Sequence, residues 1–522
     1  MVEIQNGDYQ NENDSQPLIS PPQEMVKIRK TSEMNSTLIK RARLIRRSTT
    51  NHYCEELKRL KREDGSLIRQ VLIISLQLRP TPNDSRGPNG LTYWPVITFS
   101  HPPLDDKKNK FQAPIFFPDF QSCVQKDEHY QLILTDDKGD RSVAFCYKFL
   151  PKSARSASDF EIDKQSNKKE RYSVLVLISN LSNESLFFQL ANNFVQECEK
   201  DPARAVLLSE ELLKIRISDS EVGQQPLRRV RSIIGRPEPR NTVAHVSSLM
   251  QTIGVEDTVF ALLCMLNEKR IIVTGSNVSD VSRAVQTFVR LLSPLDWPYT
   301  LIPVVPDTST GLCYCPMPYI AGMLRCNLNT IADLIVPLPG SAEDEQVVII
   351  DVERGLILPC LSLQSLRDSE LRSKALLNIA AGMGFPKSLV GELLTSLRSV
   401  FPIKSLTKAD EKISKRICIW YAKIFGHYQA FEAFGSSLLS ARDRKRLAMS
   451  HPTSDVRKML QWFVETGLLQ NFFFNQNSSQ NGTSAAQLER FHNTIKKFAP
   501  PVSNQKGKRR KARSLLWRLL NH

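Results

Sequence analysis

Residues 269–318 read KRIIVTGSNVSDVSRAVQTFVRLLSPLDWPYTLIPVVPDTSTGLCYCPMP. An apolar strand from Arg270 to Val273 runs into the turn Gly275-Ser276-Asn277. A segment of helical period follows, then Trp297, then a second apolar strand from Leu301 to Val305; the stretch closes on the proline-pinned turn Pro316-Met317-Pro318. Strand, helix and strand in that order predict one βαβ unit with both strands buried, the building block of an α/β sheet. Such sheets hold ligands at the carboxyl ends of their strands, in the loop that leads into the helix. Here that loop offers one glycine and no lysine, so it cannot wrap a phosphate in backbone N–H groups. It reads as a plain strand-to-helix turn.

Working outward, Val347–Asp351 predicts a third buried strand, which passes through the tight turn Glu353-Arg354-Gly355 into Leu356–Leu358. A helix is expected over about Val255 to Asn267. Residues 242–365 therefore predict an α/β domain with helices on both faces of its sheet. The strand signal stops after Leu366. Helices over about 366–383, 386–399, 407–432 and 453–474 make residues 366–475 an all-α segment, and residues 476–522 are polar and then strongly basic.

On the amino-terminal side, strands are expected at Ile68–Leu78, Tyr93–Phe99, Gln131–Leu134, Val143–Phe149 and Tyr172–Ile178. The turn Asp136-Asp137-Lys138-Gly139-Asp140 joins the third and fourth into a hairpin. Residues 152–171 form a polar insertion. Ser182 or Asn183 is placed to cap a helix that carries Phe187, Phe188, Leu190, Phe194 and Val195 on its apolar side. Asp201 caps a second helix over about Pro202 to Ile215. Residues 67–217 thus read as an α+β domain, and the arginine-rich stretch 218–241 as a linker. Residues 1–66 read as a disordered to partly helical basic region.

The chain has 522 residues, a length for about three domains. It has no run of 18 apolar residues, so no transmembrane helix is expected, and its polar, acidic start is not a signal peptide. Ten cysteines scattered through strands and helices read as free thiols in a reducing cytosol. A net charge of +16 favours anionic partners; an anionic membrane is expected among them, nucleic acid is not. Chemistry is not visible. GxxxxGK[ST], GxGxxG, GxSxG and HExxH are all absent. The eight histidines lack a second ligand at metal spacing, and Cys313-Tyr314-Cys315 has no partner pair. No catalytic residue, metal or cofactor is expected.

Three short terminal patterns complete the inventory. Lys508, Arg509, Arg510, Lys511 and Arg513 precede Leu515-Leu516-Trp517-Arg518-Leu519-Leu520. This arrangement suits an amphipathic helix on an anionic membrane, with Trp517 in the interface. The same run also fits a nuclear localisation signal or a helix docked on the protein's own core. Asp14 to Ile19 matches an acidic dileucine signal for a clathrin adaptor, and Arg46-Arg47-Ser48 a basophilic kinase site at Ser48.

The motifs NEKRIIVTGSNVSDVS, LLSPLDWPYTLIPVVP, YCPMPYIAGM, VVIIDVERG, YAKIFGHYQAF and WFVETGLLQNFF occur in one order over about residues 68–475, after FFPDF at 116–120 and its hairpin. In that order they resemble the tripartite DENN module, and the hairpin looks most like the DENN-domain-2 group. The long basic loop 152–171 and the arginine-rich linker depart from it. The resemblance implies a longin-like amino-terminal domain and a DENN core, an α/β sandwich followed by an all-α segment, which together form a bilobed cleft. It also implies a guanine nucleotide exchange factor for a Rab-family GTPase in membrane traffic. Such a protein would be cytoplasmic and peripherally bound to endosomal, Golgi-derived or plasma membranes. The alternatives are a GTPase-activating protein of the longin-DENN type and a non-catalytic membrane-associated scaffold. An exchange factor needs no nucleophile or metal of its own, only binding energy that favours the nucleotide-free GTPase. The expected GTPase contacts are Ser185, Phe187, Phe188 and Gln189 on the first helix, with Pro316, Met317, Pro318 and Tyr319. Adjacent Phe187 and Phe188 cannot share one helix face equally, so one is an anchor candidate; the alternative is that both pack inside. Arg228, Arg229 and Arg231 are candidates for a trans-acting arginine or for an autoinhibitory contact.

Overall fold

The computed structural model describes residues 66–501 except 81–90, 105–112, 123–125, 137–140, 153–171, 181–183, 216–244, 336–346, 359–365, 367, 432–439 and 476–482. Strands β1 (Gln70–Pro80), β2 (Leu91–His101), β3 (Glu128–Thr135), β4 (Arg141–Phe149) and β5 (Ser173–Ser179) form an antiparallel sheet in the order β2-β1-β5-β4-β3. The five expected strands and the hairpin are present. Every residue of β5 is buried because both of its faces are covered. Leu175 and Leu177 pack with helices α1 (Glu184–Lys200) and α2 (Arg204–Lys214). Val174, Val176 and Ile178 face the opposite way, toward Phe116, Phe117 and Tyr130. A strand covered on both sides reads as an unbroken apolar run. Helix α2 has Ala203 at its N-cap with no side-chain cap, in place of the expected Asp201, whose carboxylate accepts from the Ala203 N–H at 3.0 Å in the preceding turn.

The second lobe opens with α3 (Val246–Ile253), which the sequence reading missed, and α4 (Val255–Leu266). Its sheet contains β6 (Ile271–Gly275), β7 (Thr300–Ile302), β8 (Tyr319–Leu324), β9 (Val348–Asp351) and β10 (Leu356–Leu358) in the order β10-β9-β6-β8-β7. The first four to be paired, β9-β6-β8-β7, run parallel, and β10 is antiparallel at the edge. Here the expectation is corrected. The helix after β6, α5 (Val278–Leu291), does lead to β7, but β7 is a three-residue edge strand, exposed to half-buried. Strand β6 pairs with β8 and β9 and not with β7, and Pro316-Met317-Pro318 precedes the fully buried β8 rather than ending a strand.

Gly322 permits this insertion. A Cβ there would lie 2.1 Å from the carbonyl oxygen of Pro303 and 2.6 Å from the side chain of Val281, so only glycine lets the chain leaving β7 and helix α5 approach β8 from one side. Val305 donates its N–H to the Gly322 carbonyl at 2.7 Å. The helices α4 and α5 cover one face of the sheet; the other is covered by the 3-10 segments Asp307–Tyr314 and Arg325–Ile331 and the short α6 (Ala332–Ile335).

The carboxyl-terminal part contains α7 (Ser369–Gly382), α8 (Lys387–Arg398), α9 (Leu406–Phe425), α10 (Ala441–Ser450), α11 (Ser454–Phe463), α12 (Gly467–Asn475) and α13 (Thr483–Phe498). It shares one continuous core with α4, α5 and the parallel sheet, from Val259 and Ile350 to Trp420, Phe425 and Phe463. The expected boundary near residue 366 is therefore a change of secondary structure within one core. The ordered helices also run past the expected end at 475: Phe491 and Ile495 of α13 are buried in the same core, against Phe425 and Gly426.

Candidate functional site

The carboxyl ends of β6 and β9 meet at the turn Gly275-Ser276-Asn277. Asn277 caps α5 by accepting from the Asp280 N–H at 2.9 Å. The next free donor, the Ser276 N–H, is taken at 2.7 Å by the carboxylate of Glu353, which also accepts from the Ser276 hydroxyl. Arg325 grips the other end of the network. It forms two 2.7 Å bonds to Asp351 and one of 2.7 Å to Glu353. Burial works to raise both carboxylates, yet hydrogen bonds prevail and hold both below their usual range: Arg325 and backbone N–H groups at Asp351, Ser276 and Arg325 at Glu353. The position at which an α/β sheet would hold a phosphate is thus filled by the protein's own carboxylate. The loop is an internally capped structural joint.

A second polar set ties the two sheets together. Lys148 of β4 is buried between Asp119, at 2.7 Å, and Glu128, and all three side chains are fully buried. Burial pushes the Glu128 carboxyl up, with Lys148 opposing. Around them, the Ser282 hydroxyl of α5 donates to the Gln131 carbonyl at 2.9 Å and accepts its N–H at 3.1 Å. Arg290 reaches Glu184 at 2.6 Å, and Arg141 donates to the carbonyls of Trp297 and Tyr299 at 3.1 and 2.6 Å. Val278, Val281, Val304 and Leu324 of the parallel-sheet lobe join Leu72, Val176 and Phe117 of the antiparallel-sheet lobe in one apolar cluster. Since this seam is both apolar and hydrogen-bonded, the lobes form one preorganised body.

Along the same seam the chain leaves apolar side chains uncovered. The Asp307 N–H donates to the Pro118 carbonyl at 2.9 Å, and the Asp307 carboxylate accepts from the Ser122 hydroxyl at 3.1 Å and from Asn327 at 2.6 Å. Shortly before Pro118, Ile115 is 40% exposed; shortly after Asp307, Leu312 is 51% and Tyr314 44% exposed. Pro316 is exposed and Met317 half-buried beside them. These exposed apolar side chains in one short segment make it a candidate interaction surface. Leu312 and Tyr314 were missed in the sequence because the 3-10 geometry of Asp307–Tyr314, and not a period of two or 3.6, decides which residues face out; Ile115 lies in a separate one-turn helix over residues 113–116.

The other expected contacts fare differently. Phe187 and Phe188 are both in the core, 0% and 4% exposed. Phe187 stacks on Phe145 at 4.3 Å between ring centroids, and Phe188 meets the same ring edge-on at 5.7 Å. The aromatic ring of β4 sits between them, so adjacent helix positions are both buried and neither is a surface anchor. Ser185 and Gln189 are half-buried, and the Gln189 side-chain amide donates to the Ser185 hydroxyl at 3.4 Å. Pro318 and Tyr319 are buried, with the Tyr319 hydroxyl donating to the Cys313 carbonyl at 2.8 Å. Asp14 to Ile19, Ser48, Ser182, Asn183, Arg228, Arg229, Arg231, Lys508, Arg509, Arg510, Lys511, Arg513 and Trp517 lie outside the described residues. Among the described residues no group of three His, Cys, Asp or Glu side chains is placed to hold a metal ion. His427 and His451 are buried and neutral; burial lowers them to about 3 and about 4.

Residues 174–355 match the family model of the DENN (AEX-3) domain. The match begins in β5 and ends in the turn after β9, so it contains the capped joint and the parallel-sheet side of the inter-lobe seam. These residues therefore carry a DENN domain, and the similarity to DENN domain-containing proteins extends over about 80% of the chain. It is 22% identical to DENN domain-containing protein 2C of Homo sapiens over 83% of this chain and 45% of that protein. It is likewise 22% identical to DENN domain-containing protein 2B of Mus musculus (80% of this chain, 35% of that protein) and to human DENN domain-containing protein 2D (79% and 82%). The chain thus spans less than half the length of the 2C and 2B relatives and most of the 2D relative.

Proposed function

We propose that this chain is a guanine nucleotide exchange factor that promotes GDP release from a Rab-family small GTPase. The observation that carries the reading is the DENN-domain match over residues 174–355. Two physical features support it. The joint that would hold a nucleotide is filled by Glu353, as suits a protein that acts on another protein's nucleotide. The lobes are locked by a buried polar seam, so little ordering cost opposes a partner docking on Ile115, Leu312, Tyr314, Pro316 and Met317. Accelerating release about 10⁴-fold takes roughly 5.5 kcal/mol, within reach of a few well-packed anchors at about 2 kcal/mol each. The antiparallel strand order with two following helices supports a longin-like reading of residues 67–217. In this reading the protein works in the cytoplasm, at the surface of a membrane that carries its GTPase.

The test is release of fluorescent GDP from a panel of purified Rab proteins. Acceleration is expected for one or a few. Leu312→Asp and Tyr314→Ala should each lose about tenfold or more without a change in thermal unfolding. Absence of acceleration for every Rab, with and without vesicles, overturns the proposal; stimulated GTP hydrolysis in its place redirects it to a GTPase-activating protein.

A further inference from the structure

Helix α9 buries Ala409, Ile413, Ile417, Trp420 and Tyr421. Its opposite side exposes Lys408, Lys412 and Lys415, spaced i, i+4, i+7, which places three ammonium groups in a row over about 10 Å. Lys404, exposed just before the N-cap Ser405, extends the row. Among the described residues none of the four has an ion-pair partner. Of the nearby carboxylates, Asp410 is engaged by His245 and by the Ser247 N–H, both at 2.7 Å; Glu411 alone is exposed beside the row. Arg490 of α13 adds positive potential one turn further along, where it acts on Cys418.

Within the fold this arrangement is unfavourable. Like charges at i, i+4 repel, and cations at a helix N-terminus oppose the helix dipole. We infer that the Lys404–Lys415 row is a docking surface for an anionic phospholipid bilayer. Charge complementarity selects an anionic occupant, and side-chain chemistry selects among anions. The row contains no arginine and no aromatic residue, and the aromatic residues of α9 face the core. Protein interfaces are depleted in lysine and depend on aromatic, methionine and arginine anchors. Single-stranded nucleic acid needs aromatic platforms for its bases. A bilayer surface needs only hydrated positive charge held near it.

The experiment is partition of the full chain onto phosphatidylcholine vesicles with and without phosphatidylserine, at low and at physiological salt. Each lysine near an anionic surface strengthens partition about fivefold. The variant Lys408→Gln/Lys412→Gln/Lys415→Gln should therefore bind the phosphatidylserine vesicles about 100-fold more weakly, with an unchanged urea midpoint. A second variant, Lys508→Gln/Arg509→Gln/Arg510→Gln/Lys511→Gln, separates any contribution of the basic carboxyl-terminal run. Added to it, the α9 triple should cause the same further loss. Partition by the α9 triple equal to that of the parent chain overturns the inference. So does lysine-dependent binding of an acidic polypeptide or an oligonucleotide with vesicle partition unaffected.

Discussion

Replacement of Arg325 by methionine tests whether the capped joint holds the α/β lobe together. The arginine is 23% exposed, Asp351 10% and Glu353 29%. The methionine leaves two carboxylates facing each other with only backbone and Ser276 donors. Removing one partner of a fully buried ion pair costs about 3–5 kcal/mol. Partial exposure screens these charges, which lowers the expected loss to about 2–3 kcal/mol at neutral pH. The pH dependence has a definite direction. In the parent chain both carboxylates sit below their ordinary values despite burial. Their contribution is therefore present above the unfolded carboxylate range near pH 4 and is lost as pH falls through the lower folded values. In Arg325→Met that depression is removed, so the gap between variant and parent should be widest near neutral pH, persist down to about pH 4 and close as pH falls further through the folded values. Urea unfolding across this range measures the gap. Hydrogen exchange at Ser276 and the first turn of α5 reports whether the joint opens locally. A loss under about 1 kcal/mol, or one that does not change with pH, refutes the reasoning.

Three further outcomes are expected. Gly322→Ala places a methyl 2.1 Å from the Pro303 carbonyl oxygen, so it should cost at least about 3 kcal/mol. Gly311→Ala, with nothing within 4 Å of the new carbon, serves as the neutral control; equal thermal midpoints for the two would contradict the close approach. Lys148→Met leaves Asp119 and Glu128 buried without their cation and should cost about 3–5 kcal/mol. Adding Asp119→Asn and Glu128→Gln should restore a large part, and an additive worsening in chemical denaturation would count against the ion triad. His427 and His451 are held neutral by burial, at about 3 and about 4. The unfolded chain therefore takes up protons first, and stability falls as pH drops below about 6.5, by about 1.4 kcal/mol per unit for each histidine. Stability measured at pH 5.5 should be about 2–3 kcal/mol below that at pH 7.5, with His427→Gln showing a shallower slope; parallel profiles would exclude the effect.

Much of the antiparallel lobe was legible because its determinants are local. The Asp- and Gly-containing stretch after Asp136 signalled a β3–β4 hairpin in the sequence, and short apolar runs bounded by polar residues mark the strands. The absence of a phosphate-binding loop at Gly275 was equally plain, since that motif is contiguous when it exists. The α13 helix was not legible. Its stretch is mostly polar, and burial rests on a few side chains such as Phe491 and Ile495 that reach a core built by distant helices.

The sequence by itself determined most of the strands and helices, though not α3, β8 or α13, that the switch-point loop lacks phosphate chemistry, and the family likeness. Tertiary structure alone decided the rest. Strand β8 lies between β6 and β7 because Gly322 leaves room for the carbonyl of Pro303. Phe187 and Phe188 are both buried because Phe145 of another strand sits between them. Glu353, 77 residues away from Ser276, fills the joint that a ligand would occupy elsewhere. Each depends on contacts between residues far apart in the chain, where neither propensity nor periodicity carries information and only the packed fold chooses the partner.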